Sequence, residues 1–98
     1  MYHIKIGARN LRYSEILSMR IHQLCEERGI AVNRLASMSD VKQSTLDNIV
    51  RKVAKNPGVR TLHKIAIAFN MTISEFLDFE AMNDYSFDDD GEGNGDDD

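Results

Sequence analysis

Cysteine is almost missing from this 98-residue sequence, which contains only Cys25. One cysteine can form neither an intrachain disulfide framework nor a four-cysteine zinc site, and it fits a reducing cytoplasm. No apolar run approaches the roughly 20 residues that cross a bilayer. Residues 1–13 also lack the continuous apolar stretch of a signal peptide. The sequence therefore predicts neither a disulfide-stapled secreted domain nor a membrane protein.

The residue patterns of catalytic and metal sites are missing as well. We find no phosphate-binding loop and no recognisable pair of nucleophile and base. The three histidines, His3, His22 and His63, are not spaced at i, i+4, and no carboxylate cluster lies beside them. We therefore expect no catalytic residue, no metal and no cofactor.

Charge is unevenly distributed along the chain, so the formal net charge of −4 is misleading. From Asp84 onward there are eight acids and no base, whereas residues 1–74 hold 12 bases and five acids, a net charge of +7. A basic body with an acidic end is compatible with binding to a polyanion such as DNA.

A helical period begins near Ser14 and predicts a first helix over residues 14–28. Ser14 is a candidate N-cap, and Gly29 is a candidate left-handed stop. The apolar stripe of this helix consists of Leu17, Ile21, Leu24 and Cys25. On that stripe, Cys25 is interpreted as an inert core residue.

Two short helices follow, over residues 32–38 and 43–51, separated by a sharp turn. Asp40 can make that turn because aspartate tolerates a left-handed backbone. Ala36 provides the small residue where the two helices cross. Leu46 and Ile49 form the apolar face of the second helix, and its other face is polar. Two helices joined in this way have the geometry of a helix-turn-helix.

Two more helices complete the expected fold. Asn56, Pro57 and Gly58 give the strongest turn signal in the chain, and Thr61 can cap a fourth helix after it. Thr72, followed by Glu75 three residues later, matches a capping box that opens a fifth helix. The sequence thus predicts an all-α, compact five-helix bundle within one domain.

Residues 16–79, about two thirds of the chain, resemble the Xre/Cro-type, phage-repressor-like helix-turn-helix domain. The resemblance implies a lambda-repressor-like fold that binds double-stranded DNA, usually as a homodimer on a pseudo-palindromic operator. The matching segments are residues 19–21, 26–30, 35–36, 41–46, 56–57, 61–66 and 71–77.

The resemblance also assigns candidate DNA contacts, which we state as expectations. Glutamine and asparagine can pair with the N6/N7 edge of adenine, whereas contacts to phosphate carry no sequence information. Thr45 can instead contact a phosphate or a thymine methyl. The candidate base contacts are Gln43, Ser44, Thr45 and Asn48. The candidate phosphate contacts are Lys42, Arg51, Lys52, Lys55, Asn33 and Arg34.

Three positions depart from the family pattern. Val32 stands where many members have a phosphate-binding glutamine. Asp40 replaces the turn glycine and adds negative charge near the DNA. Val50 replaces a glutamate that pairs with an arginine at the position of Arg20, which predicts that Arg20 is free for solvent or phosphate.

The two ends of the chain are predicted to lie outside the helix-turn-helix domain, which we expect to span residues 14–82. Residues 1–13 form an arm with three interpretations: a disordered leader, a strand that pairs across a dimer, or a basic arm that contacts DNA. The alternation of Tyr2, Ile4 and Ile6 favours the strand. Residues 83–98 are predicted to be a disordered acidic tail, either a solubilising end or a DNA mimic that competes for the basic body.

Taken together, these features predict a cytoplasmic, sequence-specific DNA-binding transcriptional regulator, acting as a homodimeric repressor. The alternative is an antitoxin-like or anti-regulator module that has the same fold, binds protein and has weak affinity for DNA. Val32, Asp40 and the acidic tail, which could also contact a protein partner, favour that alternative.

Overall fold

The computed structural model describes residues 11–87, and this part of the chain contains α-helices and no strand. The helices are α1 (Tyr13–Arg28), α2 (Val32–Ser39), α3 (Gln43–Val50), α4 (Val59–Ala68), α5 (Ile73–Leu77) and α6 (Glu80–Asn83). The all-helical fold is confirmed, with one short helix, α6, beyond the five that were predicted. The arm up to residue 10 and the tail from residue 88 lie outside the described residues.

A single hydrophobic core holds α1 to α5 together. α1 lies against α3, α2 lies against α4, and α4 lies against α5. Full burial of an aliphatic or aromatic side chain contributes about 1.5–3 kcal/mol, so this core supplies the main stabilising term. Its largest fully buried apolar side chains are Ile16, Leu17, Ile21, Leu35, Leu46, Ile49, Ile65, Phe69 and Phe76.

Cys25 is part of this core, as its position on the apolar stripe predicted. Burial raises the pKa of its thiol, which disfavours the reactive thiolate. In the described part of the chain, no helix is both long enough and apolar enough to cross a membrane.

The first four helices are each followed by a residue with left-handed backbone. These residues are Gly29, Asp40, Lys52 and Asn70, with φ between 60° and 68°. In every case the next residue is apolar and donates its N–H to the carbonyl five residues earlier, at 2.8–3.1 Å. This arrangement satisfies a carbonyl of the last helical turn. The predictions for Gly29 and Asp40 are confirmed, whereas Lys52 and Asn70 were not anticipated.

Two predicted N-caps are wrong. α1 begins at Tyr13, because the Glu15 carboxylate accepts the backbone N–H of Arg12 at 2.7 Å, and Ser14 is buried in the first turn. α4 begins at Val59 directly after Gly58, and Thr61 lies inside the helix. Nothing in residues 59–60 opposes helix formation, so the helix starts as soon as the turn ends.

Arg20 is not free, which corrects the expectation from the sequence. Its Nε donates to the Phe76 carbonyl at 2.8 Å, and its Nη2 donates to the Glu75 carbonyl at 2.9 Å. The guanidinium also lies 4.8 Å from the centre of the Phe79 ring, within cation–π distance. Partial burial lowers the pKa of Arg20 from its ordinary value. Arg20 therefore joins α1 to the end of α5.

The packed chain continues past residue 82, where the domain was predicted to end. Tyr85 and Phe87 pack with Tyr13 in an aromatic cluster, with ring centres 4.9–5.8 Å apart. The Tyr13 hydroxyl also contacts the Met82 sulfur at 3.6 Å. Residues 83–87 are therefore held against the start of α1.

The capping box of α5 is confirmed and provides a direct test of local stability. The Glu75 N–H donates to Thr72 Oγ1 at 3.0 Å, and the Thr72 N–H donates to Glu75 Oε1 at 2.9 Å. We expect Thr72→Ala to lower the free energy of unfolding by about 1 kcal/mol, because a helix N–H loses its acceptor. Thr72→Ser retains the hydroxyl and should unfold at nearly the same urea concentration as the natural chain. Equal losses for both variants would contradict the role of the cap.

Candidate nucleic-acid interface

The α2–turn–α3 unit packs closely against the rest of the fold. Asp40 turns the chain between the two helices with φ of 60°. Leu46 and Ile49 anchor α3 in the core with at most 1% of their surface exposed. At its other end, the buried Ser18 hydroxyl on α1 donates to the Val50 carbonyl at 2.7 Å. α3 is thus fixed at both ends, which sets the direction of its outer face.

The outer face of α3 is polar. Gln43, Ser44 and Asn48 are exposed, and Ser44, Asn48 and Arg51 follow each other at i, i+4 and i+7. Thr45 is half-buried and lines a groove between α2, α3 and α4. Three of the four predicted base contacts therefore lie on the outer face of α3, and the fourth lies at its edge.

Gln43 is oriented by a neighbour on the same helix. Its Nε2 donates to Asp47 Oδ1 at 2.9 Å. This bond uses one amide hydrogen and leaves the other hydrogen and the amide oxygen available. A donor and an acceptor side by side are what the N6/N7 edge of adenine requires. The hydrogen bond with Asp47 therefore restricts the orientation of the Gln43 amide.

Cations lie at both ends of α3. Lys42 directly precedes it, and Arg51 and Lys52 directly follow it. All six predicted phosphate contacts are exposed, including Asn33 and Arg34 on α2.

Two further cations, on α4, were missed by the sequence analysis. An open groove between α2, α3 and α4 brings Arg60 and Lys64 near Lys42 and Thr45. The sequence does contain a signal for these two cations. Residues 48–74 contain five bases and no acid, and two of those bases are spaced at i, i+4 on α4. We call the cations around α3 the basic face: Lys42, Arg51, Lys52, Lys55, Arg60 and Lys64.

The carboxylate of Asp40 is almost fully exposed beside the basic face. It lies 3.9 Å from the Lys64 ammonium, which also donates to the Asp40 carbonyl at 3.4 Å. An exposed ion pair of this kind contributes little to stability. Its main effect is to place one negative charge next to the cations of the groove.

The comparisons with known proteins identify the family of this helix-turn-helix. The profile of the Cro/C1-type HTH DNA-binding domain matches residues 20–82. The chain belongs to this family. Within residues 11–87, no three side chains of the types that ligate metals lie together.

Regulators from Bacillus subtilis (strain 168) are similar in sequence to this member of the family. The HTH-type transcriptional regulator SinR is 27% identical over 70 residues, which are 71% of this chain and 63% of SinR. SlrR is 38% identical over 64 residues, 64% of this chain and 42% of SlrR. The prophage-derived HTH-type transcriptional regulator YopO is 34% identical over 62 residues, 63% of this chain and 87% of YopO. The matched region thus spans about two fifths to two thirds of SinR and SlrR.

Among solved structures, an HTH_3 family transcriptional regulator from Vibrio cholerae has the same fold. The alignment has a TM-score of 0.63 and 22% sequence identity, and it covers 72% of this chain and 39% of the other. This likeness supports the arrangement of the helices, and the sequence matches above support the family.

Proposed function

We propose that this protein is a sequence-specific, double-stranded DNA-binding transcriptional regulator that reads the major groove with α3. One observation carries the proposal: Gln43, Ser44 and Asn48 are exposed on one face of a helix whose opposite face is locked into the core, and cations lie at both ends. No catalytic role is proposed for any residue, and the proposed location is the cytoplasm.

The dimensions of α3 suit this role. Its eight residues rise about 12 Å, and an α-helix is about 10–12 Å wide with its side chains. The major groove of B-DNA is about 12 Å wide and admits one such helix. In this arrangement Gln43 and Asn48 reach base edges, with adenine the favoured partner of both.

The basic face would hold the phosphates on either side of that groove. Charges on the protein release counterions from DNA, so the affinity falls as salt rises, with a slope of about −0.9 for each phosphate that is neutralised. Lys42 lies at one end of α3, and Arg51 and Lys52 lie at the other. Phosphate contacts at both ends would fix the register of the helix along the groove.

A second copy of the chain is part of the proposal. One α3 offers three exposed polar side chains for base contacts, which is few for the affinity of about 10⁻⁸–10⁻¹¹ M typical of specific complexes. A homodimer doubles these contacts. It would bind half-sites related by two-fold symmetry, about 34 Å apart, and act as a repressor by covering its operator.

The test is selection from a pool of randomised duplexes, followed by affinity measurements at several salt concentrations. Enrichment of a two-fold-related motif, bound with a negative log–log salt slope, supports the regulator. Absence of enrichment and of salt-sensitive binding would overturn it.

The second candidate is a protein-binding module, such as an antitoxin-like or anti-regulator protein. The specific observation in its favour is the exposed Asp40 carboxylate beside the basic face, where it opposes the approach of phosphates. Capture of one defined protein partner by a chain that fails the selection experiment would favour this candidate.

Asp40 itself yields a prediction. We expect Asp40→Asn to raise the affinity for any duplex about three- to tenfold at 50 mM salt, because it removes one negative charge and ends the ion pair with Lys64. Asparagine keeps the left-handed backbone, so the melting temperature should stay nearly constant. Fluorescence anisotropy with operator and random duplexes measures the effect, and Glu80→Gln, at an exposed carboxylate on α6, is the control. An unchanged affinity would contradict the position of Asp40 near DNA.

A further inference from the structure

We propose that the acidic segment of residues 88–98 binds the basic face of its own domain and competes there with DNA. The contact regulates the same surface as the proposed function, so its effect on DNA affinity rests on that function. The occupant is a segment of this chain, and three observations favour it.

The first observation is the separation of charge. Residues 31–70 hold seven bases and two acids, whereas residues 71–98 hold eleven acids and no base. Both acids of the basic region are already engaged, Asp40 with Lys64 and Asp47 with Gln43. Within residues 31–70, the exposed bases around α3 therefore outnumber the carboxylates that could pair with them. Seven acids in residues 88–98 can supply them.

The second observation is the point from which the segment leaves the fold. The aromatic cluster holds Phe87 against Tyr13, with ring centres 5.8 Å apart. Ser18 follows Tyr13 by about 8 Å along α1 and donates to the carbonyl of Val50, the last residue of α3. Phe87, the last residue that the structure describes, is therefore held beside α1, the same helix that contacts the end of α3, where Arg51 and Lys52 are exposed.

The third observation is the length of the segment compared with the size of the fold. Eleven extended residues span at most about 36–40 Å, and the longest dimension of the fold is 37 Å. The segment can thus reach both the bases after α3 and the groove that contains Lys42, Arg60 and Lys64. Tethering by a short linker gives an effective concentration in the millimolar range, so a weak contact is enough to compete.

In this contact, the carboxylates of the segment take the place of DNA phosphates. Carboxylates at a spacing of one to a few residues present a line of negative charges to the same lysine and arginine side chains. Such exposed pairs are screened over about 10 Å at 0.1 M salt and over about 3 Å at 1 M. Competition should therefore be strong at low salt and vanish at high salt.

The first experiment compares the natural chain with a full-length chain in which the segment is neutral. The substitutions are Asp88→Asn, Asp89→Asn, Asp90→Asn, Glu92→Gln, Asp96→Asn, Asp97→Asn and Asp98→Asn. With a random-sequence duplex at 50 mM salt, we expect roughly tenfold tighter binding of the neutral chain, from the effective concentration of the tether. The difference should disappear as the salt approaches 1 M.

A matched pair of variants separates the position of the charges from their number. Asp88→Asn with Asp89→Asn and Glu26→Gln with Glu80→Gln each remove two negative charges. Glu26 and Glu80 are exposed and lie outside the basic face. The pair in the segment should raise the affinity more than the surface pair does. Equal effects of the two pairs would show that the affinity depends on net charge alone, and would overturn the proposal.

The second experiment detects the contact without DNA. Backbone amide shifts in a ¹H–¹⁵N spectrum should differ between the natural and the neutral chain at residues of the basic face, such as Lys42 and Lys52, independently of protein concentration. Unchanged shifts, or shifts that grow with concentration and so indicate a second copy, overturn the proposal. If neither chain binds the duplex or a selected operator, the proposed function fails instead, and the amide shifts alone decide whether the contact forms.

Discussion

Phe76→Ala is expected to lower the free energy of unfolding by about 3–5 kcal/mol, the range for removing a buried aromatic ring. Phe76 has no exposed surface, and its ring stacks nearly parallel to that of Phe69, with centres 6.4 Å apart. The Phe76 carbonyl, near the end of α5, also accepts a hydrogen bond from Arg20. Since small domains are stable by about 5–15 kcal/mol, this loss is a large share of the total. Urea unfolding followed by circular dichroism measures it.

The control is the same substitution at an exposed ring. Phe87 is 68% exposed, so Phe87→Ala should cost less than about 1 kcal/mol, the contribution of an aromatic pair. If Phe76→Ala fails to fold, Phe76→Leu is the alternative, because leucine keeps most of the buried volume. Its free energy of unfolding should lie between those of the natural chain and the alanine variant. A loss below 1 kcal/mol for Phe76→Ala would contradict the packing of α5 in the core.

Asn48→Ala is expected to weaken binding to the selected operator by about 5- to 150-fold, equivalent to about 1–3 kcal/mol, and to leave binding to random DNA unchanged. Asn48 is exposed on the outer face of α3, and only its backbone carbonyl takes part in the turn that follows. Alanine favours the helix, so the fold should not suffer. Anisotropy titrations on operator and random duplexes give both numbers.

The contrasting variant removes a phosphate contact. Because Lys52 has left-handed backbone with φ of 68°, Lys52→Asn is a cleaner change than Lys52→Ala. It should weaken operator and random DNA alike and reduce the steepness of the salt slope by about 0.9 per subunit. Equal losses on the two duplexes for Asn48→Ala would refute its role in reading bases.

Local signals account for the parts of the fold that the sequence predicted well. The bounds of α1, α2 and α3 were predicted to within about one residue, because apolar spacing and sharp turns act between neighbours along the chain. The left-handed turns at Gly29 and Asp40 and the capping box at Thr72 depend on the same short range. The start of α4 was missed, because a candidate cap at Thr61 was preferred to the turn that ends at Gly58.

The amino-acid sequence alone predicts the local features of this protein: the helices, the helix-turn-helix, the polar face of α3 and the division of the chain into a basic body and an acidic end. Each of these depends on residues a few positions apart. The contacts of residues that are far apart in the sequence are seen only in the folded chain. Arg20 binds carbonyls 55 and 56 residues away, Arg60 and Lys64 join Lys42 in one groove, and Phe87 meets Tyr13. Such contacts depend on how the helices pack together, and no local pattern of residues encodes that geometry.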